Sequence, residues 1–218
     1  AKQIVPFVRG CGFEPILSDS FVTTPSCSFY AKEVGCLGAL VITASHNPYN
    51  WLGLKIKSFN GCSVDESFTS EVEKRLMLGN SIEKIDGVNQ LVDIKKFHLD
   101  RIKSLFDIDF ISNRLKKMKL RIFVDSMHGS AANCMAEIFA SNDLEVISEI
   151  RKDADPFFGG KPPEPLLNYA DDLKQILMKN STNEVKTLGI IFDGDGDRIA
   201  AIDEKGRYSS TQDLLPYF

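Results

Sequence analysis

The sequence lacks the paired cysteine spacing that disulfide-rich and zinc-binding proteins have. The chain has five cysteines, an odd number, scattered without a C-x-x-C pair; they are Cys11, Cys27, Cys36, Cys62 and Cys134. This spacing argues against a disulfide framework and against a zinc site built on thiolates. We therefore expect reduced thiols, as is usual in the cytoplasm.

Long hydrophobic runs and an excess of positive charge are also lacking. No apolar run approaches the length of a membrane span, and the start of the sequence does not have the pattern of a signal peptide. The net charge of −4 argues against nucleic acid or an anionic membrane as the main partner. To bind an anionic ligand, the protein would need a metal ion or arginines at the site to compensate the negative charge.

What the sequence does have is a dense acidic motif, "FDGDGDR" at residues 192–198. Asp193, Asp195 and Asp197 would repel one another unless a cation or an array of donors offsets their charge. Their hard oxygen atoms suit Mg²⁺, Ca²⁺ or Mn²⁺, and the intervening glycines let the backbone curl so that alternate side chains converge. The alternative is a solvated acidic turn, because Asp and Gly are also common turn formers.

A calcium-binding helix–loop–helix is a rival explanation of this motif. Glu204 even falls at the twelfth loop position, where a bidentate glutamate belongs. The sixth position requires Gly for a sharp turn, and here it is Arg198. The flanking runs "TLGIIF" and "IAAI" are short and apolar, so they predict strands rather than helices.

Short apolar runs alternate with helical patterns, which indicates an α/β protein with parallel strands. Residues 39–43, 120–125 and 187–192 are strand candidates. A helix is expected after a capping box formed by Ser63 and Glu66, with its end at Gly79. Ser130 is expected to cap the helix that follows the second strand. The aspartates would then lie at the carboxyl end of a strand, where open α/β sheets usually bind ligands.

A second motif, "TASHNP" at residues 43–48, also follows an apolar strand. Ser45 and His46 invite comparison with a nucleophile and its base. Neighbours on an extended chain point to opposite sides, however, so a direct dyad is geometrically awkward. The motif does not match the G-x-S-x-G elbow of a hydrolase, and Asn47-Pro48 could simply mark a turn after a strand.

Read together, "TASHNP" with Gly53-Leu54-Lys55 and the later "FDGDGDR" resemble the α-D-phosphohexomutase superfamily, which includes phosphoglucomutases and phosphomannomutases. Thr24-Pro25, "VDSMHG" and "FGGKPPEP" are weaker supports, and the resemblance covers nearly the whole chain. Leu52 departs from the family pattern, which usually has Asn before the glycine preceding the lysine.

The resemblance implies a reversible exchange between hexose 1-phosphate and hexose 6-phosphate through a hexose 1,6-bisphosphate. Ser45 is then the phosphoserine, and one Mg²⁺ per active site is held by the serine phosphate and the three aspartates. Arg198 helps to neutralise the phosphate, and Lys55 is the candidate for proton transfer. His46 and Asn47 support the serine loop. The catalytic set is Ser45, Lys55 and Arg198, and the metal set is Ser45, Asp193, Asp195 and Asp197.

The implied fold is a pair of consecutive mixed-sheet α/β domains from a four-domain protein. Domain I is expected at residues 1–97 without its first strand, domain II at 98–205, and the start of domain III at 206–218. The loops that recognise the sugar and bind the second phosphate belong to domains III and IV, so we expect no turnover from these residues alone. Glucose, mannose and glucosamine phosphates therefore all stay open as substrates.

Two other functional classes stay open at this point. A metal-dependent sugar-phosphate phosphatase could use Ser45 and the aspartates for hydrolysis. A non-catalytic module could bind a divalent metal and leave Ser45 unmodified. Retention of Ser45, Lys55, Arg198 and all three aspartates argues against a decayed relative.

Overall fold

The computed structural model describes residues 1–79, 81–139 and 146–217. Among the helices of these ranges, none combines the length and the apolar character that crossing a bilayer requires. The chain forms two groups of strands, each with helices packed beside it, and the two motifs of interest extend from the ends of strands in different groups.

The first group contains two short sheets. In chain order the elements that precede the second group of strands are α1 (Val5–Gly10), β1 (Ile16–Ser18), α2 (Thr24–Val34), β2 (Gly38–Thr43), β3 (Gly53–Ser58), α3 (Glu66–Leu78), β4 (Gln90–Val92), α4 (Ile94–Leu105) and α5 (Ile108–Lys117). The last two helices, α4 and α5, contribute to the core of the second group. Strands β1 and β4 pair in parallel, and β2 and β3 form an antiparallel pair. The predicted strand at residues 39–43 lies within β2.

Helix ends in this group follow from local side chains. The Thr23 hydroxyl accepts a hydrogen bond from the Ser26 amide at the start of α2, and Gly35 ends that helix in a left-handed conformation. The predicted capping box at the start of α3 is wrong, since Asp65 is the cap and accepts from the Phe68 amide. Ser63 instead pairs with Lys57 of β3. The predicted end of α3 at Gly79 agrees with the structure.

The second group is a five-stranded mixed sheet in the order β6-β5-β7-β8-β9. Strand β5 runs parallel to β6 and β7, whereas β8 is antiparallel to both β7 and β9. The elements are β5 (Leu120–Asp125), α6 (Cys134–Phe139), β6 (Ile147–Ile150), 3₁₀ turns at Phe158–Gly160 and Leu167–Tyr169, α7 (Asp171–Asn180), β7 (Lys186–Phe192), β8 (Ile199–Asp203), β9 (Tyr208–Ser209), α8 (Thr211–Leu214) and a last 3₁₀ turn at Leu215–Tyr217.

Both faces of this sheet are covered. Leu99, Val124 and Ile138 belong to the core cluster that includes α4 and α6. On the other side, Leu173 and Leu177 of α7 are fully buried. Burial on both faces explains why the central strands are continuous apolar runs rather than alternating ones.

The expected helix cap at Ser130 is also wrong. Helix α6 begins only at Cys134, because the chain first passes through a turn that includes Asn133 at a positive φ of 63°. The Ser130 hydroxyl instead donates to the Gly194 carbonyl oxygen at 3.2 Å. The predicted boundary between residues 97 and 98 lies within α4, and β9 of the predicted domain III segment extends the second sheet. The domain limits stay predictions.

Candidate active site

The aspartate loop connects β7 to β8 and is organised by its first carboxylate. Asp193 Oδ1 accepts hydrogen bonds from the amides of Asp197 and Arg198, both at 3.0 Å. The Asp193 amide donates to the Arg198 carbonyl oxygen at 3.2 Å, which closes the loop. Asp193 and Asp195 are buried, whereas Asp197 is exposed. The three residues each offer one oxygen within 4.8 Å of the others.

Glycine is required at two places in this loop because other parts of the chain come close. A Cβ at Gly194 would lie 2.4 Å from the Ser45 carbonyl oxygen. At Gly196, where φ is +70°, a Cβ would lie 2.7 Å from Thr23 Cγ2. The loop therefore fits against both the serine loop and the start of α2.

The serine loop leaves β2 in a tight turn. Ser45 has a positive φ of 54°, and its amide donates to Thr43 Oγ1 at 2.8 Å. The Asn47 amide donates to the Ala44 carbonyl oxygen at 3.0 Å. This turn directs the Ser45 hydroxyl to 3.4 Å from Asp193 Oδ2, across 148 residues of sequence.

Lys55 reaches the same point from β3, where it pairs with Val41 of β2. Its Nζ donates to Asp195 Oδ2 at 2.7 Å and to Asp197 Oδ2 at 2.6 Å. The same nitrogen lies 3.5 Å from Ser45 Oγ. Lys55 is thus an internal cation between two of the three carboxylates.

His46 contradicts one expectation from the sequence. Its Nδ1 lies 3.4 Å from Ser45 Oγ, although neighbouring side chains were expected to point apart. The expectation assumed an extended chain, and the positive φ of Ser45 replaces that geometry with a turn. The second ring nitrogen, Nε2, lies 3.9 Å from Glu164 Oε1.

Arg198 connects the aspartate loop to Glu164 of the Pro-rich stretch. Its Nε lies 3.3 Å from Asp193 Oδ2, and its Nη1 lies 3.7 Å from Glu164 Oε1. Glu164 therefore faces both Arg198 and His46, a contact that sequence reasoning missed. The Pro-rich stretch around it was visible in the sequence, but only the fold brings it to the site.

Thr24 was noticed in the sequence only as part of a Thr-Pro pair. In the structure it is buried, and its hydroxyl donates to Asp195 Oδ2 at 2.6 Å. Its amide also donates to the Asp195 carbonyl oxygen at 2.8 Å. His128 lies apart from these contacts, with its Nδ1 bonded to the Asp153 carbonyl oxygen at 2.7 Å.

The electrostatics of the cluster are uneven. The pKa of Asp193 is raised to about 7, mainly by burial and also by the charges of Asp195 and Asp197, although the hydrogen bond from the Arg198 amide acts to lower it. Burial also opposes ionisation of Asp195, but hydrogen bonds from Lys55 and Thr24 outweigh it and lower the pKa of Asp195. The pKa of Lys55 is raised, because its bonds to the carboxylates outweigh the effect of burial.

The donor set fits a hard divalent cation. Asp195 Oδ1 is buried and has no hydrogen-bond partner among the described residues, so a buried carboxylate oxygen is left without compensation. Oxygen ligands from three carboxylates are the type that Mg²⁺, Mn²⁺ or Ca²⁺ prefers. Ser45 and Asp195 also line a cavity of about 2040 Å³.

Comparison with known proteins agrees with this geometry. The chain matches the phosphoglucomutase/phosphomannomutase family in two places, α/β/α domain I over residues 1–81 and α/β/α domain II over residues 96–206. Similar proteins include the phosphoglucosamine mutase of Methanococcus vannielii, 32% identical over 90% of this chain and 43% of the relative. Phosphoglucomutase 1 of Drosophila melanogaster is 27% identical over 99% of this chain and 43% of the relative.

Solved structures show the same fold. A Thermus thermophilus protein described as a phosphomannomutase superposes with a TM-score of 0.79 at 24% identity, over 95% of this chain and 46% of that one. The parafusin (phosphoglucomutase) of Paramecium in its open form gives a TM-score of 0.69 at 23% identity, over 85% of this chain and 39% of that one. The chain spans less than half the length of these relatives. The family prediction is confirmed: the chain belongs to the phosphoglucomutase/phosphomannomutase family of the α-D-phosphohexomutase superfamily, of which it carries two consecutive α/β domains.

Proposed function

We propose that this chain carries the phosphoserine and metal part of a phosphohexomutase active site. The complete enzyme would interconvert hexose 1-phosphate and hexose 6-phosphate through a hexose 1,6-bisphosphate, as an intramolecular phosphotransferase. The observation that supports this most directly is the convergence at Ser45 Oγ. Asp193 from the second sheet and Lys55 from β3 both come within 3.5 Å of that hydroxyl oxygen.

In the proposed reaction, phospho-Ser45 loses its phosphoryl group to a free hydroxyl of the hexose phosphate. The Oγ–P bond breaks, a new O–P bond to the sugar forms, and the sugar hydroxyl proton is released. The leaving Ser45 Oγ takes up a proton from the protonated Lys55 amine 3.5 Å away, and that amine in turn takes up the proton that the sugar hydroxyl releases. The reverse transfer rephosphorylates Ser45 from the other position of the bisphosphate. Such transfers depend on positioning and charge stabilisation.

Charge stabilisation has two sources in this proposal. Asp193, Asp195, Asp197 and the Ser45 phosphate would hold one Mg²⁺, which would offset the charge of the carboxylates and the phosphate. Arg198 supplies a fixed positive charge that is kept close by its contacts to Asp193 and Glu164. His46, whose Nδ1 lies 3.4 Å from the hydroxyl, would steady the serine loop, and the hydrogen bond from the Asn47 amide would maintain the turn of that loop.

The proposed partners are hexose phosphates and the hexose 1,6-bisphosphate. Relatives are named as phosphoglucosamine mutase and phosphoglucomutase, so glucose and glucosamine phosphates are the first substrates to test. We also propose a reducing compartment such as the cytoplasm, because the five cysteines are all unpaired. Residues 1–218 alone are proposed not to turn over substrate, because they span less than half of the relatives.

The test is the mass of the complete protein after incubation with glucose 1,6-bisphosphate and Mg²⁺. We expect a gain of one phosphoryl group that maps to Ser45 and is absent from the Ser45→Ala variant. A Ser81→Ala variant, altered at an exposed serine, is the matched control and should be phosphorylated like the unmodified protein.

Assays of phosphate release and of metal binding, made beside the mass measurement, separate the alternatives. Release of inorganic phosphate from sugar phosphates, with no requirement for a bisphosphate, would favour a metal-dependent phosphatase. Metal binding with no phosphorylation of Ser45 would favour a non-catalytic binding module. Either result would overturn the mutase mechanism.

A further inference from the structure

Thr24 forms a direct connection between the first group of strands and the aspartate loop. It is the first residue of α2 and has only 2% of its surface exposed. Its hydroxyl donates to Asp195 Oδ2 at 2.6 Å, and its amide donates to the Asp195 carbonyl oxygen at 2.8 Å. Two bonds to one residue fix both the position and the rotation of that residue.

The two oxygens of the Asp195 carboxylate have different surroundings. Oδ2 accepts from Thr24 and from Lys55, at 2.6 Å and 2.7 Å. Oδ1 is buried and has no hydrogen-bond partner in the described part of the chain. A carboxylate oxygen in that condition is costly unless a cation or a donor compensates it.

We propose that Thr24 is a positioning residue for the metal site. Its hydroxyl donates to Oδ2 of Asp195 and thereby leaves Oδ1 as the oxygen that binds the cation. The inference rests on the metal site of the proposed function. The hydroxyl of Thr24 acts only through Asp195, in the way that groups behind a metal ligand orient it and tune its affinity.

The neighbouring threonine provides a contrast. Thr23 is also buried at the start of α2, but its hydroxyl accepts from the Ser26 amide at 3.2 Å and shares a 2.8 Å hydrogen bond with Ser26 Oγ. These bonds stay within the helix. Loss of the Thr23 hydroxyl should therefore weaken the helix cap without changing the orientation of Asp195.

The experiment measures Mn²⁺ binding to the complete protein by electron paramagnetic resonance, together with the Tm without metal. Thr24→Val keeps the shape of the side chain and removes the hydroxyl, so we expect Mn²⁺ affinity to fall about 10- to 100-fold. Thr24→Ser keeps a hydroxyl and should restore most of that affinity. Thr23→Val should lower the Tm and leave Mn²⁺ affinity unchanged.

Equal Mn²⁺ affinity in Thr24→Val and the unmodified protein would overturn the proposal. An equal loss in Thr23→Val and Thr24→Val would also overturn it, because both would then act through the stability of α2. If Thr24→Val does not fold, Thr24→Ala gives the same test with a smaller side chain. Absence of Mn²⁺ binding by the unmodified protein would refute the metal site itself, and the role of Thr24 with it.

Discussion

Replacement of Gly194 by alanine should separate the serine loop from the aspartate loop, on which the proposed phosphoryl transfer depends. The new Cβ would lie 2.4 Å from the Ser45 carbonyl oxygen and 2.8 Å from Pro163 Cγ. One neighbour is a backbone oxygen and the other is an atom of a rigid proline ring, and Gly194 is itself held by hydrogen bonds to Pro163 and Ser130. The strain has no flexible side chain to absorb it, so the loops must move.

The size of the effect follows from these distances. Ordinary contact begins near 3.4 Å, so the Ser45 backbone must withdraw by about 1 Å. A misplacement of that size at a reacting group reduces the rate of transfer by roughly 100-fold. Overpacking also destabilises a fold by about 1–3 kcal/mol, so the Tm should fall by several degrees.

The assay is the rate at which Ser45 becomes phosphorylated by glucose 1,6-bisphosphate, followed by the mass of the complete protein, beside a thermal melt. Gly87→Ala is the control, because its Cβ would meet only the flexible side chain of Arg9, at 3.2 Å. We expect Gly87→Ala to behave like the unmodified protein. A Gly194→Ala variant with an unchanged rate and an unchanged Tm would show that the two loops do not meet as described.

Two further predictions concern buried charge. Burial is the main reason why the pKa of Asp193 is raised to about 7. In the presence of a chelator, the contribution of this group to the free energy of unfolding is therefore full below about pH 4 and is lost as the pH rises to about 7. Asp193→Asn should show a weaker decline in Tm over that interval, and an identical decline in both proteins would contradict the assignment. Arg151 donates to the fully buried Asp125 at 2.8 Å through Nε, so Arg151→Met should cost about 3–5 kcal/mol in urea unfolding. A loss below about 1 kcal/mol would mean that Asp125 finds another partner.

Much of the fold was predictable because its signals are local. The apolar runs at residues 39–43, 120–125 and 187–192 all lie in strands, and the left-handed Gly79 ends α3. The two predicted α/β domains of the superfamily are confirmed by the family matches. The predicted cap at Ser63 failed for a local reason, because Asp65 two residues later caps the helix and Ser63 pairs with Lys57. The predicted cap at Ser130 failed for a nonlocal reason, because its hydroxyl donates to the carbonyl oxygen of Gly194 in the aspartate loop.

The sequence by itself determined which chemistry is present. Three aspartates spaced by glycines, a serine in a turn after a strand, and a lysine ten residues later are visible without any structure. They specify hard ligands, a nucleophile and a cation, because these properties belong to the residue types. The assignment of roles to Ser45, Lys55 and Arg198 stays a prediction until the phosphorylation experiment is made.

Only the tertiary structure decided how these groups meet. It places Ser45 beside Asp193 across 148 residues and Thr24 beside Asp195 across 171 residues, and it brings Glu164 to face His46 and Arg198. It also sets the positive φ of Ser45, which turns His46 toward the hydroxyl. Local sequence cannot encode the contacts of Ser45 with Asp193, Thr24 with Asp195 and His46 with Glu164, because each depends on the packing of one group of strands against the other.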